Sequence, residues 1–184
     1  MTRILASLAL LAVSAFAGDA HAFCVYNGLK DRAVFATVVA PTNVPKPAKL
    51  YGETVAPGKE SCCNPKNTEC NPGRVGDQAL IAFEARVEAK APVPPGVPPQ
   101  VVACGRPVTD KNDKRFPSGV ETPIPARSYL RFEHNPAFIP QQKYGWENPP
   151  YVLKVLVGPE NRLVQTFPCP PKQADKPGRI DFLK

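Results

Sequence analysis

Twenty-four prolines in a chain of 184 residues leave little room for helix, because each one lacks a backbone donor and breaks a helix interior or a central ladder. They gather in three clusters, Pro41 to Pro47, Pro92 to Pro99 and Pro136 to Pro150, with short apolar segments between them. Hardly any stretch carries apolar residues at helical spacing free of proline. The expected fold is therefore all-β: an antiparallel β-sandwich of about seven or eight strands with long Pro-rich loops, stabilised by disulfides. Periodicity alone does not separate such a sandwich from a closed barrel. The run Pro92-Val93-Pro94-Pro95-Gly96-Val97-Pro98-Pro99 reads as a stiff polyproline-like excursion rather than a flexible linker.

Alternation marks the strands. From Ala79 to Ala89, the residues Ala79, Ile81, Phe83, Ala85 and Val87 alternate with Glu84, Arg86 and Glu88 in the later half, the pattern of a half-buried strand. Ala33 to Val39 is apolar on both faces and suits a central position. Tyr151 to Val157 and Leu163 to Phe167 flank the turn-forming Gly158-Pro159-Glu160-Asn161 and read as a hairpin. Shorter candidates are Phe23 to Asn27, Tyr51 to Ala56, Gln100 to Cys104 and Ser128 to Glu133.

The amino terminus reads as a secretory leader: Arg3, then an apolar stretch from Ile4 to Val13, then two small-x-small sites, Ala15-Phe16-Ala17 and Ala20-His21-Ala22. Cleavage after Ala22 assigns residues 1–22 to a signal peptide and residues 23–184 to one domain. Phe23, being bulky, argues against lipidation of Cys24. No later apolar run approaches the roughly 18 residues needed to span a bilayer, so the mature chain is expected to be soluble, and periplasmic or secreted. About 160 residues remain, enough to bury roughly two-thirds of the unfolded surface without help. Disulfides would then serve to pin long loops.

All six cysteines, Cys24, Cys62, Cys63, Cys70, Cys104 and Cys169, follow the leader, and exported thiols are normally oxidised. Adjacent side chains in extended backbone point to opposite sides, so Cys62 and Cys63 are expected to take different partners. One would close the short loop to Cys70, the other would reach Cys24 or a more distant strand, and Cys104 with Cys169 makes a natural third pair. Paired C-x₂₋₄-C spacing, as zinc requires, is missing, and so is a redox C-x-x-C. Copper lacks its soft ligands, since the only methionine is the initiator and His134 is the sole histidine of the mature chain. No metal or cofactor is expected.

Catalytic patterns fare no better. His134 would have to carry any histidine chemistry, and no Gly-x-Ser-x-Gly elbow accompanies it. Glu84 and Glu88 share a strand face but stand roughly 13 Å apart, with Arg86 between them, which suits a solvated stripe better than a carboxylate pair. Asp110 to Arg115, with Glu121 at the twelfth position, begins like a calcium loop, yet Lys114 and Arg115 replace a ligand and the turn glycine.

Charge is mildly basic: 23 Lys and Arg face 16 Asp and Glu, for a net +7, and the leader takes one of each, Arg3 and Asp19. Such a field favours acidic partners, an anionic glycan or envelope lipid among them, and is not gathered into a nucleic-acid patch. Tyr144 and Trp146, around Gly145 in a proline-bounded loop, are the candidate ligand contacts, as aromatic rings that stack on sugar faces or anchor a protein. The expected function is an exported, non-enzymatic binding or structural protein of the envelope or extracellular space. The alternative is a secreted hydrolase with a site near His134, assembled with Glu133 and Asp113.

Phe23-x-Val25-x-Asn27, followed by a second strand and the Pro57-Gly58 turn, resembles the start of thaumatin-like sandwiches. The likeness covers only the opening of the mature chain, and the cysteine spacing departs from that family's denser pattern. It implies a type of fold, and no functional residue is carried over.

Overall fold

The structure, a computed structural model, describes residues 23–39, 50–63, 70, 74–75, 78–88, 100–108, 120–125 and 127–172. The leader, the proline clusters at 41–47 and 92–99, and the loop 110–115 lie outside the described residues. Within them the protein is all-β, with several sheets and no α-helix. Twelve strands follow in chain order: β1 (Phe23–Asn27), β2 (Val34–Val39), β3 (Gly52–Val55), β4 (Glu60–Cys63), β5 (Arg74–Val75), β6 (Gln78–Val87), β7 (Gln100–Cys104), β8 (Arg106–Pro107), β9 (Val120–Pro125), β10 (Ser128–His134), β11 (Tyr151–Val157) and β12 (Arg162–Cys169).

The first sheet runs β12-β11-β10-β1-β4, and the second runs β3-β2-β6-β9-β8, with β5 and β7 also paired to β6. At ten residues, β6 is long enough to serve four partners. Its first half pairs with β5 and β9, its second half with β2 and β7. Alternation does the rest, placing Phe83, Ala85 and Val87 of β6 in one buried cluster with Phe23, Val25, Leu130, Phe132, Leu153, Val155 and Phe167 of the first sheet. At about 25 cal/mol per Å², this shared apolar surface is what holds the sheets against each other. The chain leaving β12 also crosses between them: amides of Ala103 and Gly105 donate to the carbonyls of Pro170 and Pro168, at 3.2 Å each.

Three bridges form, Cys24–Cys62, Cys63–Cys70 and Cys104–Cys169, so Cys62 and Cys63 take different partners: Cys63 closes the short loop to Cys70 and Cys62 reaches Cys24. Cys104–Cys169 joins β7 of the second sheet to β12 of the first.

Two expectations need correction. The sheets are not wholly antiparallel, because β1 pairs with β10 in parallel, Phe23 against Ser128 through Asn27 against Phe132. Strand alternation has the same period of two in either direction, so sequence pattern is blind to the difference. There are also more strands than seven or eight. β9 was hidden by its prolines, Pro123 and Pro125. Two residues apart, they place both missing donors on one edge of the strand, and β8 pairs there only with Val120 and Glu121. β4, Glu-Ser-Cys-Cys, is short and largely polar and carries no alternating apolar signal.

Asn27 fixes the end of β1. Its side chain is completely buried; Nδ2 donates to the carbonyls of Arg32 (3.0 Å) and Val55 (2.9 Å), and Oδ1 accepts from the Leu29 amide (3.0 Å). Its own amide donates to Lys59 and its carbonyl accepts from Gly58, both at 2.9 Å. One residue thus ties together the ends of β1 and β3 and the turn before β4.

Asn27→Ala is expected to lower unfolding free energy by about 3 kcal/mol, the cost of leaving several buried polar groups unpaired, read from urea denaturation of the oxidised protein. Gly105→Ala should be worse than Gly58→Ala. A Cβ at Gly105 would lie 2.5 Å from the Glu121 carbonyl oxygen, whereas at Gly58 nothing is within 4 Å and only the positive φ of 65° is strained, a cost of roughly 1 kcal/mol.

Candidate functional site

Because Phe23, Val25, Leu130, Phe132, Leu153 and Val155 face the core, their neighbours along each strand of the first sheet occupy its outer face. Register aligns these neighbours into two rows across the sheet. One row is Cys62, Cys24, Tyr129, Leu156 and Leu163; the next is Glu60, Tyr26, Arg131, Lys154 and Thr166. The first row is aromatic and aliphatic beyond its disulfide, and the second is charged and polar.

Where the rows meet, a shallow depression of about 430 Å³ is lined by Tyr26, Glu60, Tyr129, Arg131 and Leu156, and closed at one end by Gly158, Pro159 and Asn161 of the β11–β12 turn. That turn is tight: the Asn161 amide donates to the Gly158 carbonyl at 3.1 Å, with φ of 75° at Gly158 and 52° at Asn161. A β-bulge between Val155 and Leu156 leaves Leu163 and Val164 exposed beside it, at 51% and 43%.

The cations of the second row are held by one carboxylate. Arg131 Nε lies 2.9 Å from Glu133 Oε2, and Lys154 Nζ pairs with Glu133 Oε1. The Arg131 guanidinium also stands over the Tyr26 ring, 5.4 Å from its centroid, the geometry of a cation–π contact. Glu60 stands in the same row and lines the depression, so two cations meet two carboxylates on this face, beside two tyrosines whose hydroxyls can donate and accept.

The residues singled out from sequence lie at the other end of β10 and β11. His134 ends β10, its ring centroid 5.2 Å from that of Tyr151, which in turn stacks on Phe132. Glu133 points to the opposite face of the strand, where Arg131 and Lys154 occupy it, so β10 separates the two groups that a hydrolase near His134 would need together. Asp113 lies outside the described residues. Glu84 pairs with Lys172 at 2.7 Å and Glu121 with Arg106 at 2.5 Å. Among the described residues, no cluster of three or more His, Cys, Asp or Glu is placed to hold a metal ion, and no helix is long and apolar enough to cross a membrane.

Tyr144 is 41% exposed, its ring 5.3 Å from that of Phe138, and Trp146 is half-buried. Their loop closes on itself through buried Asn148, which accepts from the Ile139 amide and donates to the Ile139 carbonyl, both at 2.9 Å. Asn135 Nδ2 adds a bond to the Pro149 carbonyl at 2.8 Å. Four to six residues of β10 and β11, roughly 13–20 Å of strand, lie between this loop and the lining residues Arg131, Tyr129 and Leu156. Tyr26, Tyr129 and Arg131 were missed because only the register of β1 against β10 brings them together. The outward alternation Tyr129, Arg131, Glu133 was the available signal.

No protein-family description, curated protein or solved structure matches this chain. It stands on its own geometry as an all-β, disulfide-bridged protein with a mixed aromatic and charged face.

Burial raises the Tyr51 and Tyr151 phenols above the usual 10.0, and at Tyr151 the neighbouring Arg32 partly offsets this. A phenol that holds its proton longer folded than unfolded stabilises the fold fully below pH 10 and loses that contribution as pH rises through the folded value. Stability is therefore expected to fall above pH 10.0, and Tyr151→Phe should flatten the fall. Phenolate absorbance followed alongside denaturation checks it; a decline that Tyr151→Phe leaves unchanged would remove Tyr151 as its source.

Proposed function

We propose that the protein is an exported, non-enzymatic binding module of the cell envelope or extracellular space, which takes an anionic polysaccharide on the outer face of its five-stranded sheet. The observation that carries this reading is the depression itself: two tyrosines on adjacent strands, a guanidinium over the first and a leucine beside the second. Aromatic rings suit the apolar faces of sugar rings, and hydroxyl, amide and guanidinium groups suit sugar hydroxyls and carboxylates. The basic balance of the chain, +7 overall, adds attraction at a distance.

Export is supported by the leader pattern of residues 1–22 together with three disulfides, and points to the periplasm or the medium. The finer architecture we propose is a β-sandwich stiffened by proline-rich loops. Its support is the single core built from both sheets and the bridge between β7 and β12. Tyr144 and Trp146 form a second, smaller contact area on the β10–β11 loop. The hydrolase alternative finds no support in a strand that turns Glu133 and His134 to opposite faces.

Binding to polygalacturonate at low ionic strength is the first test, with anionic lipid vesicles in parallel. Tyr129→Ala and Arg131→Ala are each expected to weaken glycan binding about tenfold without moving the unfolding midpoint, and added salt should weaken it further. Trp146→Ala should leave binding at the depression intact. Absence of binding, binding to vesicles alone, or glycan binding indifferent to both variants would overturn the reading.

A further inference from the structure

Three disulfides do not stand equally open to chemistry. Cys104 and Cys169 are both completely buried, and Cys63 and Cys70 are 6% and 0% exposed. Cys24 is likewise at 0%, but its partner Cys62 is exposed, on β4 at the edge of the first sheet and on the outer face. Thiol–disulfide exchange needs a thiolate to reach a sulfur from solvent. Of the six cysteines, Cys62 is the one exposed residue, which makes Cys24–Cys62 the bridge a reagent can approach.

We propose that Cys24–Cys62 is a thiol-exchange site, attacked at Cys62 by a thiolate from a low-molecular-weight thiol or a dithiol, while the other two bridges are structural. The incoming sulfur bonds to Cys62 Sγ as the Cys24–Cys62 bond breaks; Cys24 leaves as a thiolate and takes a proton from solvent. A second thiolate then attacks the reagent's sulfur in this mixed disulfide, and Cys62 leaves as a thiolate that takes a proton from solvent. The protein gains two thiols and the reagent becomes a disulfide, two electrons having moved to the protein.

The fold contains the reaction. Cys63 faces the core while Cys24 and Cys62 face outward, so a freed Cys24 thiolate sits on the wrong side of the sheet to attack Cys63–Cys70. β1 keeps its five parallel pairings with β10 and its anchor at Asn27, and the strand that loosens is β4, still tied at Cys63 to Cys70. None of this rests on the polysaccharide reading, since exchange is read without any ligand.

The folded protein is incubated with glutathione in one arm and dithiothreitol in another, near pH 8 where thiolate is present, then alkylated and mapped by peptide mass. Glutathione should add to the Cys62 peptide, and dithiothreitol should expose Cys24 and Cys62 to alkylation about tenfold faster than any other cysteine. The circular dichroism of the strands should persist, and amides of Ser61 and Cys63 should exchange hydrogen faster. Cys24→Ser/Cys62→Ser should fold and lose the early labelling; should it fail to fold, the order of labelling in the wild-type chain decides alone. Prior labelling of Cys63, Cys70, Cys104 or Cys169, or no labelling until the protein unfolds, would overturn the assignment.

Discussion

The register of β1 is the constraint on which the rest depends. Five residues, Phe23 to Asn27, sit between β10 on one side and β4 on the other, and alternate residues have opposite duties. Phe23 and Val25 enter the core; Cys24 makes the bridge and Tyr26 carries the Arg131 cation. A slip of one residue would turn the bridge and the tyrosine inward and the phenylalanine outward. Asn27 opposes any slip, because its amide meets carbonyls at fixed places on two other segments and finds no equivalent set one position away.

A second fastening lies at the far edge. β12 pairs with β11 along its length, then its continuation bonds to β7 across the gap between sheets, beside the Cys104–Cys169 bridge. Gly105 permits the close approach of β7 and β9 there, and Thr122, fully buried, accepts from the Phe83 amide at 3.2 Å and donates to the Cys104 carbonyl. Hydrogen bonds, a bridge and a missing side chain thus converge on one corner, where loss of any one leaves buried polar groups without partners.

Much of this was legible in the sequence. Eight strand segments could be seen from alternation, and β1, β7 and β11 have the bounds their patterns suggest, because half-buried strands write their period into the chain. The bridges were narrowed by a local argument, that vicinal cysteines in extended backbone diverge. What stayed hidden was non-local. The parallel pairing of β1 with β10 leaves no mark on either strand, and the prolines of β9 are tolerable only because of which edge is left unpaired. Tyr26 and Tyr129, more than one hundred residues apart in sequence, become neighbours through that pairing alone. Tyr144 and Trp146, by contrast, drew notice as an isolated aromatic pair, and nothing local told how far from the sheet face their loop would stand.

Distance also bears on what kind of activity such an architecture favours. Catalysis needs groups converging on one point, usually from several loops at one end of a scaffold. Here the chemically versatile side chains of the first sheet are spread along rows set by strand spacing, about 4.8 Å from strand to strand, and their cations are neutralised in part by a shared glutamate. A periodic, shallow face of that kind matches a ligand that is itself extended and repeating, because each strand offers one contact and none is decisive. Affinity would then come from several modest contacts rather than one deep anchor. The Cys24–Cys62 bridge lies in the adjacent row and ties down β4, which carries Glu60, so the stiffness of that face and the oxidation of that bridge are physically coupled.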